Sequence, residues 1–135
     1  MSPRRLVDTN VVVRHLVQDN EQQAAEAGRL FSACDHGEVT LLILPAVLAE
    51  CVFVLESFYN HARADIARVL IDLLRSPGVE IPDRAVHLDA LERYRESTVH
   101  FVDCVIAATA AELHVSVATF DGDFKRFSDV RVDLG

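Results

Sequence analysis

The sequence predicts an α/β fold with a central, mostly parallel β-sheet flanked by α-helices, and three observations carry that prediction. Short apolar runs of strand length alternate with helical patterns along most of the chain, the order that βαβ units produce. Residues 39–44 (VTLLIL) are almost continuously apolar, as in a strand covered on both faces. Two acids, Asp8 and Asp121, each close such a run, where open α/β sheets place their active sites.

Taken in order, residues 4–8 read as a short buried strand, and Asp8-Thr9-Asn10 are residue types that end a strand and cap a helix. Thr9–Val17 is predicted as a short, mostly buried helix. Asp19-Asn20 then caps an amphipathic helix, Glu21–Asp35, with Ala24, Ala27, Leu30 and Phe31 on one face and Gly37 after it. After the strand at 39–44, Pro45 suits the first turn of a very apolar helix over 46–59, which carries Glu50. Residues 62–75 form another amphipathic helix, closed by Ser76-Pro77-Gly78, and 79–81 a short strand. Asp83 is the expected cap of a helix over 84–97, whose apolar stripe is thin: Leu88, Leu91 and Tyr94, with His87 beside them. A connector at 98–102 leads to a small-residue helix over 103–113. A strand at 115–120, a turn with a short helix at 121–127 and an edge strand at 130–132 complete the pattern.

A chain of 135 residues that is 50% hydrophobic is expected to be one domain, 1–135, with a core of its own. No apolar run approaches the roughly 18 residues of a membrane span, and the N-terminus lacks a signal-peptide pattern. Cys34, Cys51 and Cys104 are far apart among apolar neighbours, so reduced core thiols and a cytoplasmic location are expected. The net charge of −8 argues against indiscriminate nucleic-acid binding but leaves room for a nuclease, because cations offset clustered acids locally.

Four acids carry the chemistry. Asp8 and Asp121 follow strands, whereas Glu50 (PAVLAECVFVL) and Asp103 (HFVDCVIAATAA) sit in apolar helices, where an unpaired carboxylate would need a partner or a cation. Four mutually repelling carboxylates in one site make physical sense around divalent cations. The six histidines show no zinc spacing, Cys104 has no base suited to a nucleophile, and no nucleophile elbow is present.

The motifs VDTNVVVRHL, LPAVLAECVFVL, FVDCVIAATAAELHV and ATFDGDFKRF, whose acids are spaced by 42, 53 and 18 residues, resemble those of a PIN-domain ribonuclease. More closely they resemble a VapC-type toxin of a type II toxin–antitoxin system. The resemblance implies Asp8, Glu50, Asp103 and Asp121 as catalytic, metal-binding acids, with Asp123 able to replace or assist Asp121. Asn10 and Thr119 would be polar supports. Pro45 departs from the Ser or Thr that many relatives carry there. The implied cofactor is Mg²⁺ or Mn²⁺, activating a water for in-line attack on an RNA phosphodiester. Asp8 and Asp103 would be the direct ligands, while Glu50 and Asp121 would orient water or hold a second ion. Arg14, Lys125 and Arg126 are candidates for RNA phosphate contacts. A cognate antitoxin and a homodimer are the implied partners, with Val47, Val52, Phe53 and Phe58 compatible with a dimer surface. The alternatives are a PIN nuclease of RNA processing without an antitoxin, and an inactive antitoxin-binding module. A phosphatase of the haloacid-dehalogenase type would need an Asp where Asn10 stands, and in a receiver-like module Lys125 is in the wrong context.

Overall fold

The computed structural model describes residues 3–134. Their packing groups into two compact units that divide between Arg84 and Ala85.

The first unit holds a three-stranded parallel sheet, β1 (Arg4–Leu6), β2 (Thr40–Leu42) and β3 (Val79–Glu80), in the order β1-β2-β3. Arg4 is in register with Thr40, and Leu41 with Val79. The strands are shorter than the apolar runs that announced them. Val7 and Ile43 continue the run past the strand ends and are buried; Val7 N–H still donates to the Leu42 carbonyl at 3.1 Å. β1 departs from expectation: Arg4, Arg5 and Leu6 are all exposed, and Val7 is the buried residue of the run. Four helices connect the strands: α1 (Thr9–Val17), α2 (Glu21–Asp35), α3 (Pro45–Ser57) and α4 (Arg63–Arg75). α1 packs chiefly on α2 and α3. Leu41, Ile43, Leu48, Leu55, Ile66, Leu70 and Leu74 form the centre of the core.

Asn20 caps α2 as expected, accepting from Gln23 N–H at 3.0 Å. Pro45 opens α3. The turn before β3 needs Gly78, at φ +83°, because a Cβ there would lie 2.8 Å from Cys34 Sγ and 3.0 Å from its carbonyl oxygen.

The second unit contains α5 (Arg84–Glu96, joined from its second residue), α6 (Phe101–Leu113), and the parallel pair β4 (Val117–Ala118) and β5 (Val132–Asp133). Here too the sequence overstates the strands: Val115 and Phe120, at the ends of the expected run, are exposed. The last strand begins two residues later than expected and pairs Val117 with Val132. α5 buries His87, Ala90, Leu91 and Tyr94, so His87 belongs to its core face and Leu88 is only half-buried. Asp83, the expected cap, has φ +55° rather than the extended backbone of an ordinary N-cap. α6 begins at Phe101, absorbing part of the expected connector, because buried Phe101 already belongs to its inner face. Ala107, Ala110, Val117 and Phe124 form a small core on which Phe127, Val130 and Val132 pack.

Cys34, Cys51 and Cys104 are free and buried. Among the described residues no helix is long and apolar enough to cross a membrane.

Candidate active site acids

Asp8 follows β1 by two residues and is the N-cap of α1, in extended conformation, with Oδ1 accepting from Val11 N–H at 3.2 Å. That bond fixes the carboxylate and satisfies one of the helix's free N–H groups. Among the described residues nothing donates to Oδ2, and Asp8 is exposed.

The second unit repeats the device. Asp121 follows β4 and caps a 3₁₀ turn, Gly122–Arg126, its Oδ1 accepting from Asp123 N–H at 2.8 Å. Thr119 Oγ1 accepts from Asp121 N–H at 2.9 Å, so it holds the backbone from which the carboxylate projects. Asp123 lies 3.8 Å from Arg126, which answers part of its charge.

The two helix-borne acids differ. Asp103 is half-buried in the first turn of α6, and its carboxyl is raised above the ordinary value. Burial is the main cause; the negative charge of Asp121 adds to it, His100 opposes it, and Asp123 adds a little more. Asp103 and Asp121 therefore act on each other within one unit, and Asp121 outweighs Asp123. Glu50, expected to be buried, is exposed. α3 turns Leu48, Cys51, Val52 and Leu55 inward and leaves Glu50 on its open side, so no desolvation cost calls for a partner there. Val52, offered for a dimer surface, is likewise in the core; Val47 is half-buried, and Phe53 and Phe58 are exposed. Burial pushes the Cys51 thiol up to about 12, with the charges of Glu50 and then Asp8 adding to the shift. Both carboxylates thus lie close enough to act on one sulfur.

Among the described residues, no three or more His, Cys, Asp or Glu are grouped so as to hold a metal ion. The donor chemistry nonetheless suits a hard divalent cation. The acids offer carboxylate oxygens, and the mutual repulsion of Asp103 and Asp121 is what such a cation relieves.

Beside Asp8 a cleft of about 420 Å³ is lined by Arg5, Asn10, Arg14, Gln23 and Glu26, with Val11, Ala27 and Leu30 as its apolar part. Arg14 is tied in place. Its Nε donates to Gln23 Oε1 at 2.8 Å, and Nη1 to Asp19 Oδ1 and to the Tyr59 hydroxyl, each at 3.1 Å. The Tyr59 hydroxyl donates in turn to Asp19 Oδ2 at 2.8 Å. Lys125 and Arg126 lie exposed on the 3₁₀ turn.

A protein-family model, the PIN domain, matches residues 5–130. The chain belongs to the PIN domain family. No curated protein matches it. PIN domains are generally metal-dependent nucleases, and the matched span of this one includes Asp8, Glu50, Asp103, Asp121 and Asp123.

Sequence reasoning missed the wall that α2 gives the cleft of this PIN domain, because Gln23 and Glu26 read as ordinary polar positions on an amphipathic helix. It also missed Asp19 and Tyr59 as the partners of Arg14. Two residues 40 apart in sequence leave no local signal.

Proposed function

We propose that this PIN domain, residues 1–135 acting as one nuclease domain, is a metal-dependent endoribonuclease of the VapC toxin type, held in check by a cognate antitoxin. One observation carries the reading. Asp8 and Asp121 are mounted alike, each just past a parallel strand, with one carboxylate oxygen locked to a backbone N–H and, among the described residues, no donor on the other. A plain helix cap needs only the first oxygen; a fixed donor for an ion needs the second.

Mg²⁺ or Mn²⁺, when bound, would supply Lewis-acid activation of water and neutralise the charge developing on the phosphodiester. Asp8 and Asp103 are assigned as direct ligands, and Glu50 and Asp121 as the acids that orient water or hold a second ion. Thr119 keeps Asp121 in place through its backbone, and Asn10 stands beside Asp8 in the cleft. RNA supplies the substrate phosphodiester. An antitoxin segment bearing Arg or Lys would be drawn to exposed acids such as Asp8, Glu50 and Asp121. The exposed rings of Phe53 and Phe58 support a homodimer.

Incubating purified protein with total RNA in Mg²⁺ or Mn²⁺, against EDTA and beside Asp103→Asn, tests the reading. Cutting that needs the ion and the carboxylate supports it. RNA left intact by folded, partner-free protein under both ions refutes it.

A further inference from the structure

The cleft beside Asp8 contains two guanidinium groups in different states. Arg14 is committed: Nε and Nη1 go to Gln23, Asp19 and Tyr59, and Asp19 answers its charge at 3.1 Å. Arg5 is exposed on β1, and among the described residues it has no ion pair. Its strand neighbour Arg4 turns the other way, as alternate strand residues do, and pairs with Glu80 at 3.5 Å. Arg5 is therefore the uncommitted cation of the cleft, presenting a planar fork suited to phosphate.

The rest of the lining complements it. Gln23 gives its amide oxygen to Arg14 and keeps its NH₂ as a donor; Asn10 is exposed, and the exposed carboxylates of Glu26 and Asp8 offer acceptors to a base or ribose while leaving the phosphate to Arg5. Val11, Ala27 and Leu30 supply an apolar face of the kind on which a base lies. The volume, about 420 Å³, lies within the roughly 300–1,000 Å³ typical of small-ligand sites.

We propose that this cleft holds one nucleotide of single-stranded RNA next to the scissile phosphate, with Arg5 on its backbone phosphate and Arg14 as a strut that shapes the cleft without touching RNA. The ligand's identity rests on the nuclease reading; the phosphate contact rests on the Arg5 guanidinium in the lining, unpaired among the described residues.

The test is fluorescence-anisotropy binding of a labelled rU12 oligonucleotide by the full chain in EDTA, across a KCl series, with cleavage of total RNA measured separately in Mn²⁺. Losing one phosphate contact should weaken binding on the order of 5-fold at low salt and flatten the log K against log[salt] slope by about 0.7. That result is expected for Arg5→Ala. Arg5→Lys should restore the slope but only part of the affinity, because an ammonium lacks the fork. Arg68→Ala, an exposed arginine of α4 outside the cleft, should change neither. A slope and affinity unchanged in Arg5→Ala, or the same loss in Arg68→Ala, overturn the proposal, as does no rU12 binding by the unaltered chain. RNA cutting with an Arg5-independent slope sinks the cleft and spares the nuclease; an Arg5-dependent slope without any cutting does the reverse.

Discussion

Arg93 on α5 anchors the segment that follows the turn bearing Asp121 and Asp123, and its removal gives a calculable loss. Nη1 donates to Asp129 Oδ1 at 2.9 Å, Nη2 to Oδ2, and Nε to Asp89 Oδ1 at 3.2 Å. The guanidinium lies 5.1 Å from the Phe127 ring centroid. The Arg93 side chain is only 12% exposed, but Asp129 and Asp89 are 55% and 43% exposed, so water replaces their lost partner. Each ion pair is then worth about 0.5–1 kcal/mol rather than the value of a buried pair. The ring contact adds about 0.5–1 kcal/mol and the buried stem about 0.8 kcal/mol per methylene covered. Arg93→Ala should therefore cost about 2.5 kcal/mol, a fall in Tm on the order of 10 °C for a chain of this size. Urea unfolding of Arg93→Ala, Asp129→Asn and the double variant isolates the pair, with a coupling of about 1 kcal/mol expected. The pH dependence has a definite sign. Arg93 holds the Asp129 carboxyl below its ordinary value of 3.8, so the coupling is present above that value and disappears as pH falls through the lowered one. A cost under about 0.5 kcal/mol, or a coupling that stays undiminished however far pH is lowered below 3.8, would refute this account.

Gly78→Ala should destabilise by more than about 2 kcal/mol in a thermal melt, since a left-handed φ and a Cβ 2.8 Å from Cys34 Sγ both oppose it. Cys51, with its thiol up at about 12, should resist iodoacetamide at pH 8 in the folded protein and react once urea exposes it; fast labelling of native protein at that position contradicts the burial. Because the folded thiol titrates above its ordinary 9.0, this group contributes full stability below that value and loses it as pH rises through the higher one. Tyr59→Phe removes a hydroxyl that joins Arg14 and Asp19, and calorimetry should show a loss of about 1 kcal/mol.

The alternation of strands and helices was legible because apolar runs and caps recur at regular intervals, and the cap at Asn20 formed as its residue type required. Strand ends were not legible. An apolar residue beyond the last sheet hydrogen bond, such as Val115 or Phe120, looks the same in sequence whether it is covered or exposed. Glu50 shows the same limit in a helix. When nearly every neighbour is apolar, no face stands out, and burial of Leu48, Cys51, Val52 and Leu55 leaves Ala46, Glu50, Phe53 and Ser57 outside. The local placement of Asp8 and Asp121 could be read from strand-then-cap patterns. The tethering of Arg14 could not, since it depends on partners from α2 and from just beyond α3.

Paired variants of Asp8 separate its role as a helix cap from the metal-binding role proposed for it. Asn caps as well as Asp, so Asp8→Asn should unfold like the unaltered protein, whereas Asp8→Ala should lose about 1 kcal/mol. Cleavage of total RNA in Mn²⁺ should fall by at least about 100-fold in both, because the amide cannot serve as an anionic ligand. Full cleavage by Asp8→Asn would show that the residue is only a cap, and the assignment of the acids would fail with it.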